Sequence, residues 1–170
     1  VRDKIWFGLG YEARDRIQSV PRYTDATVTT QETDSSTYGG DYTQAKVTWQ
    51  LNPGNTIVGF WNRDPIEISD VWGRYYLGPA VDPASETTQE QGGYNYSLQW
   101  TNIVNENMFL EAKYGRYSGV INITAQGPLG PDPVMLDLGT GWWSGTSLEE
   151  YLSDRTRQQA NADLTYFLDN

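Results

Sequence analysis

Thr43-Gln44-Ala45-Lys46-Val47-Thr48-Trp49-Gln50-Leu51 decides the fold, because polar and apolar residues alternate along it without exception after Thr43. Ala45, Val47, Trp49 and Leu51 take one side, and Gln44, Lys46, Thr48 and Gln50 take the other. A strand, whose side chains point alternately to opposite faces, is the element that gathers apolar groups at that spacing. A reversal follows at once, since Leu51-Asn52-Pro53-Gly54-Asn55 carries the Pro and Gly that a tight turn uses.

The same period of two recurs on both sides of this stretch. Ile5, Phe7, Leu9 and Tyr11 share a face before it. After it come Tyr94, Tyr96, Leu98 and Trp100, then Met108, Leu110, Ala112 and Tyr114, then Ala160, Ala162, Leu164, Tyr166 and Leu168. In Thr56 to Asn62, Val58 and Phe60 contest the face that holds Ile57 and Trp61, so this segment is read as a strand from its place after the turn. Val104-Asn105-Glu106-Asn107 supplies a second tight turn. Six strands are therefore expected near 4–14, 41–51, 56–63, 93–103, 108–118 and 158–168, joined by long polar loops near 15–40, 64–92 and 119–157. Within the third loop a short helix and an irregular loop fit equally well. Ser147 could cap the helix with Glu150 three residues on, leaving Leu148, Tyr151 and Leu152 on one side.

Short turns on one side and long loops on the other are the connection pattern of an antiparallel transmembrane β-barrel. The fold expected is all-β, a barrel segment of about six strands with long extracellular loops. Six strands are too few to close alone, since the smallest common barrels have about eight. Both ends of the sequence are turn-like, so three whole units of strand, long loop and strand are expected, with neighbouring strands supplied along both edges.

Charge supports this division. Net charge is −10, and the three loop segments hold fifteen of the 22 acids but five of the 12 bases, leaving the strands neutral. Such a balance argues against a nucleic-acid partner, which needs clustered Lys and Arg. The absence of Cys and His removes disulfides, thiolate metal sites and His-based catalysis. No stretch reaches the run of about 20 apolar residues that a membrane helix needs, but strands can also cross a bilayer.

Seven Trp and twelve Tyr against four Phe mark a preference for rings with a polar tip. Such rings suit a membrane interface or a sugar-binding surface. Trp6, Trp49, Trp100 and Tyr166 fall toward the short-turn end, and Tyr94, Tyr96 and Tyr114 toward the loop end, as two interfacial girdles require. In the loops, Trp72, Tyr75 and Tyr76, with Trp142 and Trp143, are the candidate ligand-binding residues; packing of the loops on one another is the competing reading.

Four segments resemble successive barrel strands of TonB-dependent outer-membrane receptors, nearest to the Oar-like group with a carboxypeptidase-regulatory-like domain. They are Lys4-Ile5-Trp6-Phe7-Gly8-Leu9-Gly10-Tyr11-Glu12, Lys46-Val47-Thr48-Trp49-Gln50-Leu51-Asn52-Pro53, Phe109-Leu110-Glu111-Ala112-Lys113-Tyr114-Gly115-Arg116 and Ala162-Asp163-Leu164-Thr165-Tyr166-Phe167. The resemblance implies a bacterial outer-membrane location, a plug domain filling a barrel of 22 strands, and energy from the TonB complex. Neither a plug nor a TonB-contacting segment lies in these residues. The partners implied are outer-membrane lipid, the remainder of the barrel, the plug, TonB and an imported ligand of unknown chemistry.

Other motifs carry less. Gly8-Leu9-Gly10-Tyr11-Glu12-Ala13 has dinucleotide-binding spacing, but Pro21 and the run Thr27-Val28-Thr29-Thr30 leave no helix to hold a pyrophosphate. Glu149 and Glu150 are adjacent and point apart, so they make no acid–base pair. Asp132, Asp137 and Asp154 lack calcium-loop spacing. No catalytic residue, metal or cofactor is expected, and the chain is read as part of a receptor rather than an enzyme. Two other functions fit the same residues: a soluble all-β carbohydrate-binding domain, and a structural outer-membrane or surface-layer component.

Overall fold

A computed structural model of the chain describes residues 4–23, 26–27, 31–71, 80–127, 132–146 and 150–168. It is all-β and antiparallel. The strands are β1 (Ile5–Tyr23), β2 (Gln31–Asn52), β3 (Asn55–Arg63), β4 (Ile66–Ile68), β5 (Thr87–Asn105), β6 (Met108–Ala125), β7 (Met135–Leu136), β8 (Trp143–Ser144) and β9 (Tyr151–Tyr166), with a 3-10 turn at Pro83–Ser85. One sheet runs in the order β1-β2-β3-β5-β6-β9, with β4 between β2 and β5, while β7 and β8 form a separate small pair. Apart from β4, each strand of the large sheet lies beside its neighbour in sequence. β1 and β9 end the order, so each has one strand neighbour among the described residues.

β4 continues β3 in register: Arg63 and Ile66 pair with Thr43 and Gly40 on β2, and with Tyr94 and Gln91 on β5. Pro65 causes the break because it has no N–H for the ladder. Asp64 repairs part of the gap, its carboxylate accepting the Gly93 N–H at 3.0 Å while its own N–H donates to the Gly93 carbonyl at 3.1 Å. Gly92, opposite the proline, has φ of 120°, and a Cβ there would collide with the Asp64 carbonyl.

The strands run well past the bounds expected from alternation. β1 has 19 residues, β2 22, β5 19, β6 18 and β9 16, so much of 15–40, 64–92 and 119–157 is ladder rather than loop. At about 3.3 Å per residue β2 is roughly 70 Å long, whereas a bilayer core takes about 9–11 tilted residues. The outer halves escaped the alternation test because both of their faces carry polar residues, as in Thr33-Asp34-Ser35-Ser36-Thr37, whose side chains nevertheless suit a strand. Of the stretch near Ser147 where a short helix and an irregular loop fitted equally, Tyr151 and Leu152 are in neither and open β9, paired with Ile123 and Asn122, while Ser147 and Leu148 lie outside the described residues.

Burial is confined to one end. Val20, Ile68, Val71, Val81 and Trp142 are the buried apolar side chains, and all lie where the strands leave the short turns farthest behind. Among the described residues no second layer covers the body of the sheet, and Phe7, Leu9 and Leu98 stand exposed on it.

Candidate functional site

The register sorts the side chains of the sheet onto two faces. Near the short turns, Ile5, Trp49, Ile57, Trp100, Ala112 and Ala162 form one row across the strands, and Phe7, Val47, Gly59, Leu98, Tyr114 and Ala160 form the next. Leu9 and Leu98 on this face are 80% and 53% exposed. On the reverse face at the same level are Lys46, Thr48, Gln99, Ser97, Lys113 and Asn161, with Trp6, Val58 and Phe60 as the apolar exceptions. There Gln99 donates to Glu111 at 2.8 Å and Gln159 to Asn161 at 3.3 Å.

Toward the far end the polarity changes sides. The face that was apolar now carries Asp15, Asp41, Glu67, Glu90 and Asp154, with Ile17, Val120 and Leu152 as exceptions. The reverse face, polar lower down, now holds Val20, Tyr38, Ile66, Ile68, Ile121 and Ile123. Between these regimes, on the first face, sit Tyr11, Tyr94, Tyr96 and Tyr114 with Trp61, Arg63 and Arg116. Tyr94 and Tyr96 stack with centroids 6.3 Å apart, and Tyr114 lies 6.2 Å from Tyr96. The Tyr11 hydroxyl donates to Asp41 at 2.9 Å across β1 and β2.

The far end is tied by a buried arginine. Arg22, late in β1, reaches Asp70 at 3.0 Å, Glu86 at 3.2 Å and the Val81 carbonyl at 3.4 Å. Its Nε lies 2.9 Å from Asp34 on β2, an ion-pair approach rather than an aligned hydrogen bond. The Arg22 side chain is 7% exposed and that of Glu86 0%, so these pairs are shielded from solvent, and the segments after β4 and before β5 are fastened to β1. Asp70 adopts φ of 52°, a left-handed conformation that Asp tolerates better than most residues, and its backbone N–H donates to Gln126 at 3.1 Å. The β7–β8 pair closes over this cluster: the Ser85 hydroxyl donates to the Gly145 carbonyl at 3.0 Å, and the Trp143 N–H donates to the Ala80 carbonyl at 2.9 Å. In its connecting turn the Asp137 carboxylate accepts the Gly139 N–H at 2.7 Å, and these bonds to Gly139 and Thr140 hold its pKa below the usual value.

No family model, curated protein or solved structure matches the chain.

Of the expected interfacial aromatics, Trp49, Trp100, Tyr94, Tyr96, Tyr114 and Tyr166 fall on the apolar face. Trp6 does not. It pairs with Thr48 on the polar face, because Ile5 and Phe7, its neighbours, take the apolar positions. Of the expected ligand-binding residues, Trp142 is 5% exposed and belongs to the packing of the capped end, as the competing reading of loops packed on one another has it. Trp143 is half-buried in β8, paired with Leu136. Trp72, Tyr75 and Tyr76 lie outside the described residues. Sequence reasoning missed the Arg22 cluster, whose members are spread over four separate segments with no spacing to link them. It also passed over Arg63 and Arg116, although Ile57-Gly59-Trp61-Arg63 and Leu110-Ala112-Tyr114-Arg116 already carry each arginine at the end of an apolar series.

An open concavity of about 540 Å³ lies above Tyr94 where Gly39, Gly40, Gly92 and Gly93 thin the sheet, and is bordered by Asp15, Asp41, Glu67, Glu90 and Arg63. Among the described residues no group of three acids is arranged to hold a metal ion.

Proposed function

We propose that this chain is a segment of a bacterial outer-membrane β-barrel of the TonB-dependent receptor kind. Its outward face meets lipid near the short turns and water beyond the tyrosines. The observation that carries the proposal is the exchange of polarity between the two faces along the same strands. In a membrane barrel the outer surface is apolar only across the bilayer, while the inner surface faces a wet lumen there. Beyond the bilayer the outer surface must be polar, and the inner one is free to pack. A soluble sheet has no reason to change sides part-way along each strand, and leaving Phe7, Leu9 and Leu98 open to water on one continuous face would favour aggregation.

In this reading the far end is extracellular, and the Arg22 cluster holds the outer strand extensions together at the mouth where a ligand is received and imported. The missing strands, the plug and coupling to TonB come from the family resemblance. The carbohydrate-binding alternative loses support with the burial of Trp142.

The test is fractionation of the complete protein in a Gram-negative host. Recovery in the outer membrane, extraction only by detergent and β-type circular dichroism in detergent are expected. A soluble, monomeric periplasmic or cytoplasmic product would refute the proposal.

A further inference from the structure

Among the strand residues described, eight Lys and Arg other than the capping Arg22 are distributed unequally between the two faces. Arg14, Arg16, Lys46, Lys113, Arg155 and Arg157 lie on the polar face, and only Arg63 and Arg116 lie on the apolar one. Both occupy its upper margin, among the tyrosines. Arg63 pairs with Tyr94 and Arg116 with Tyr96, so the two arginines flank the strand that carries the stacked tyrosines. Neither arginine has an ion-pair partner among the described residues, and the Arg116 Nε is shielded from solvent without a hydrogen-bond acceptor. They are two strands and one row apart, a backbone separation of about 12 Å.

A cation placed on a lipid-facing surface is costly at the middle of the bilayer and tolerable at its margin, where the side chain reaches the headgroups. A guanidinium there, with donors still free, matches a phosphate oxygen pair in shape and charge. The tyrosine hydroxyls are set at the same level. Asp41, two residues beyond Thr43, the β2 partner of Arg63, is the nearest acid on this face, about 8 Å from Arg63 by backbone, and it accepts the Tyr11 hydroxyl at 2.9 Å. Glu67 and Glu90 are four residues farther along their strands than Arg63 and Tyr94, about 13 Å and beyond a Debye length. Repulsion by the acids therefore rises beyond the arginines, which favours an anionic group at the arginine level over one farther out.

We infer that Arg63 and Arg116, flanking Tyr94 and Tyr96, form an outward-facing site for the phosphate of a membrane lipid headgroup, so that the barrel carries selected anionic lipid at its extracellular margin. This inference rests on the barrel reading.

The test uses the complete protein reconstituted in phosphatidylcholine vesicles, with insertion checked by protease protection. Spin-labelled phosphatidylglycerol and spin-labelled phosphatidylcholine then report which lipid is held at the protein surface. Wild type is expected to prefer phosphatidylglycerol roughly five-fold, the sum of two exposed ion-pair contacts. Arg63→Gln with Arg116→Gln should bring the preference close to one, whereas Arg157→Gln on the opposite face should leave it unchanged. A correctly inserted wild type without preference, or a double variant that keeps it, overturns the inference and leaves the barrel reading intact. Loss of the preference on adding inorganic phosphate at matched ionic strength overturns the lipid assignment in favour of free phosphate. Failure to insert in any vesicle removes the barrel reading and this inference with it.

Discussion

Leu98→Arg separates a lipid-facing surface from a water-facing one. Leu98 lies midway up the apolar face on β5, with Trp100 below it and Tyr96 and Tyr94 above, and 53% of it is exposed. If that exposed half is in lipid, losing its burial costs about 1 kcal/mol. An arginine at the middle of the bilayer adds about 2–4 kcal/mol. The total of roughly 3–5 kcal/mol is more than a 100-fold fall in the ratio of folded to unfolded protein. Ser97→Arg is the control, one residue away on the polar face between Phe60 and Gly115, where a charge should cost no more than about 1 kcal/mol. Urea titration of the complete protein in phosphatidylcholine vesicles, followed by tryptophan fluorescence, reads both. Equal midpoints for the two variants, each within about 0.5 kcal/mol of wild type as for an ordinary exposed site, would refute the reasoning.

Two other predictions concern the capped end. Arg22→Met leaves Asp70 and the fully buried Glu86 without their cation, a loss of about 3–5 kcal/mol. Hydrogen exchange should quicken over 34–37 and 80–87 while 43–50 and 95–101 stay protected; uniform loss of protection would show that the cluster is not a local fastening. Asp137 has a folded pKa below its usual 3.8, so its turn is stabilised above pH about 3.8 and loses that contribution as the pH falls through the lower folded value. Protection of the Gly139 and Thr140 amides, taken relative to their intrinsic exchange rate at each pH, should fall at acid pH in wild type and be already low and less pH-dependent in Asp137→Ala; identical acid behaviour in the two would contradict this.

The legibility of the fold follows the chemistry of each strand half. Near the short turns one side of each strand is apolar and the other polar, so Ala45, Val47, Trp49 and Leu51 announced β2 and its orientation without help. Farther out, polarity ceases to mark direction. Ser35, Ser36 and Thr37 look alike in sequence, yet Ser36 is buried and its neighbours are exposed, a difference created only by pairing with β1 and by the segment around Ser69, whose carbonyl accepts the Ser36 hydroxyl at 2.8 Å. The Arg22 cluster is illegible for the same reason, because its partners at 34, 70 and 86 meet only through tertiary contact. Trp6 lies as near a turn as Trp49 and Trp100 do, but its parity along β1 puts it on the opposite face. Parity was the better guide, and it places Arg63 and Arg116 as well.

The most direct test of the account is a cysteine scan of β5 from Tyr94 to Thr101, into which this chain brings no competing thiol. In the complete protein inserted in vesicles, a nitroxide at each position is compared for collision with oxygen, which concentrates in lipid, and with a water-soluble nickel chelate. Positions 94, 96, 98 and 100 should be accessible from lipid, most strongly at 98, and positions 95, 97, 99 and 101 from water. Water accessibility at all eight positions would contradict the claim that one face of this sheet lies in a membrane.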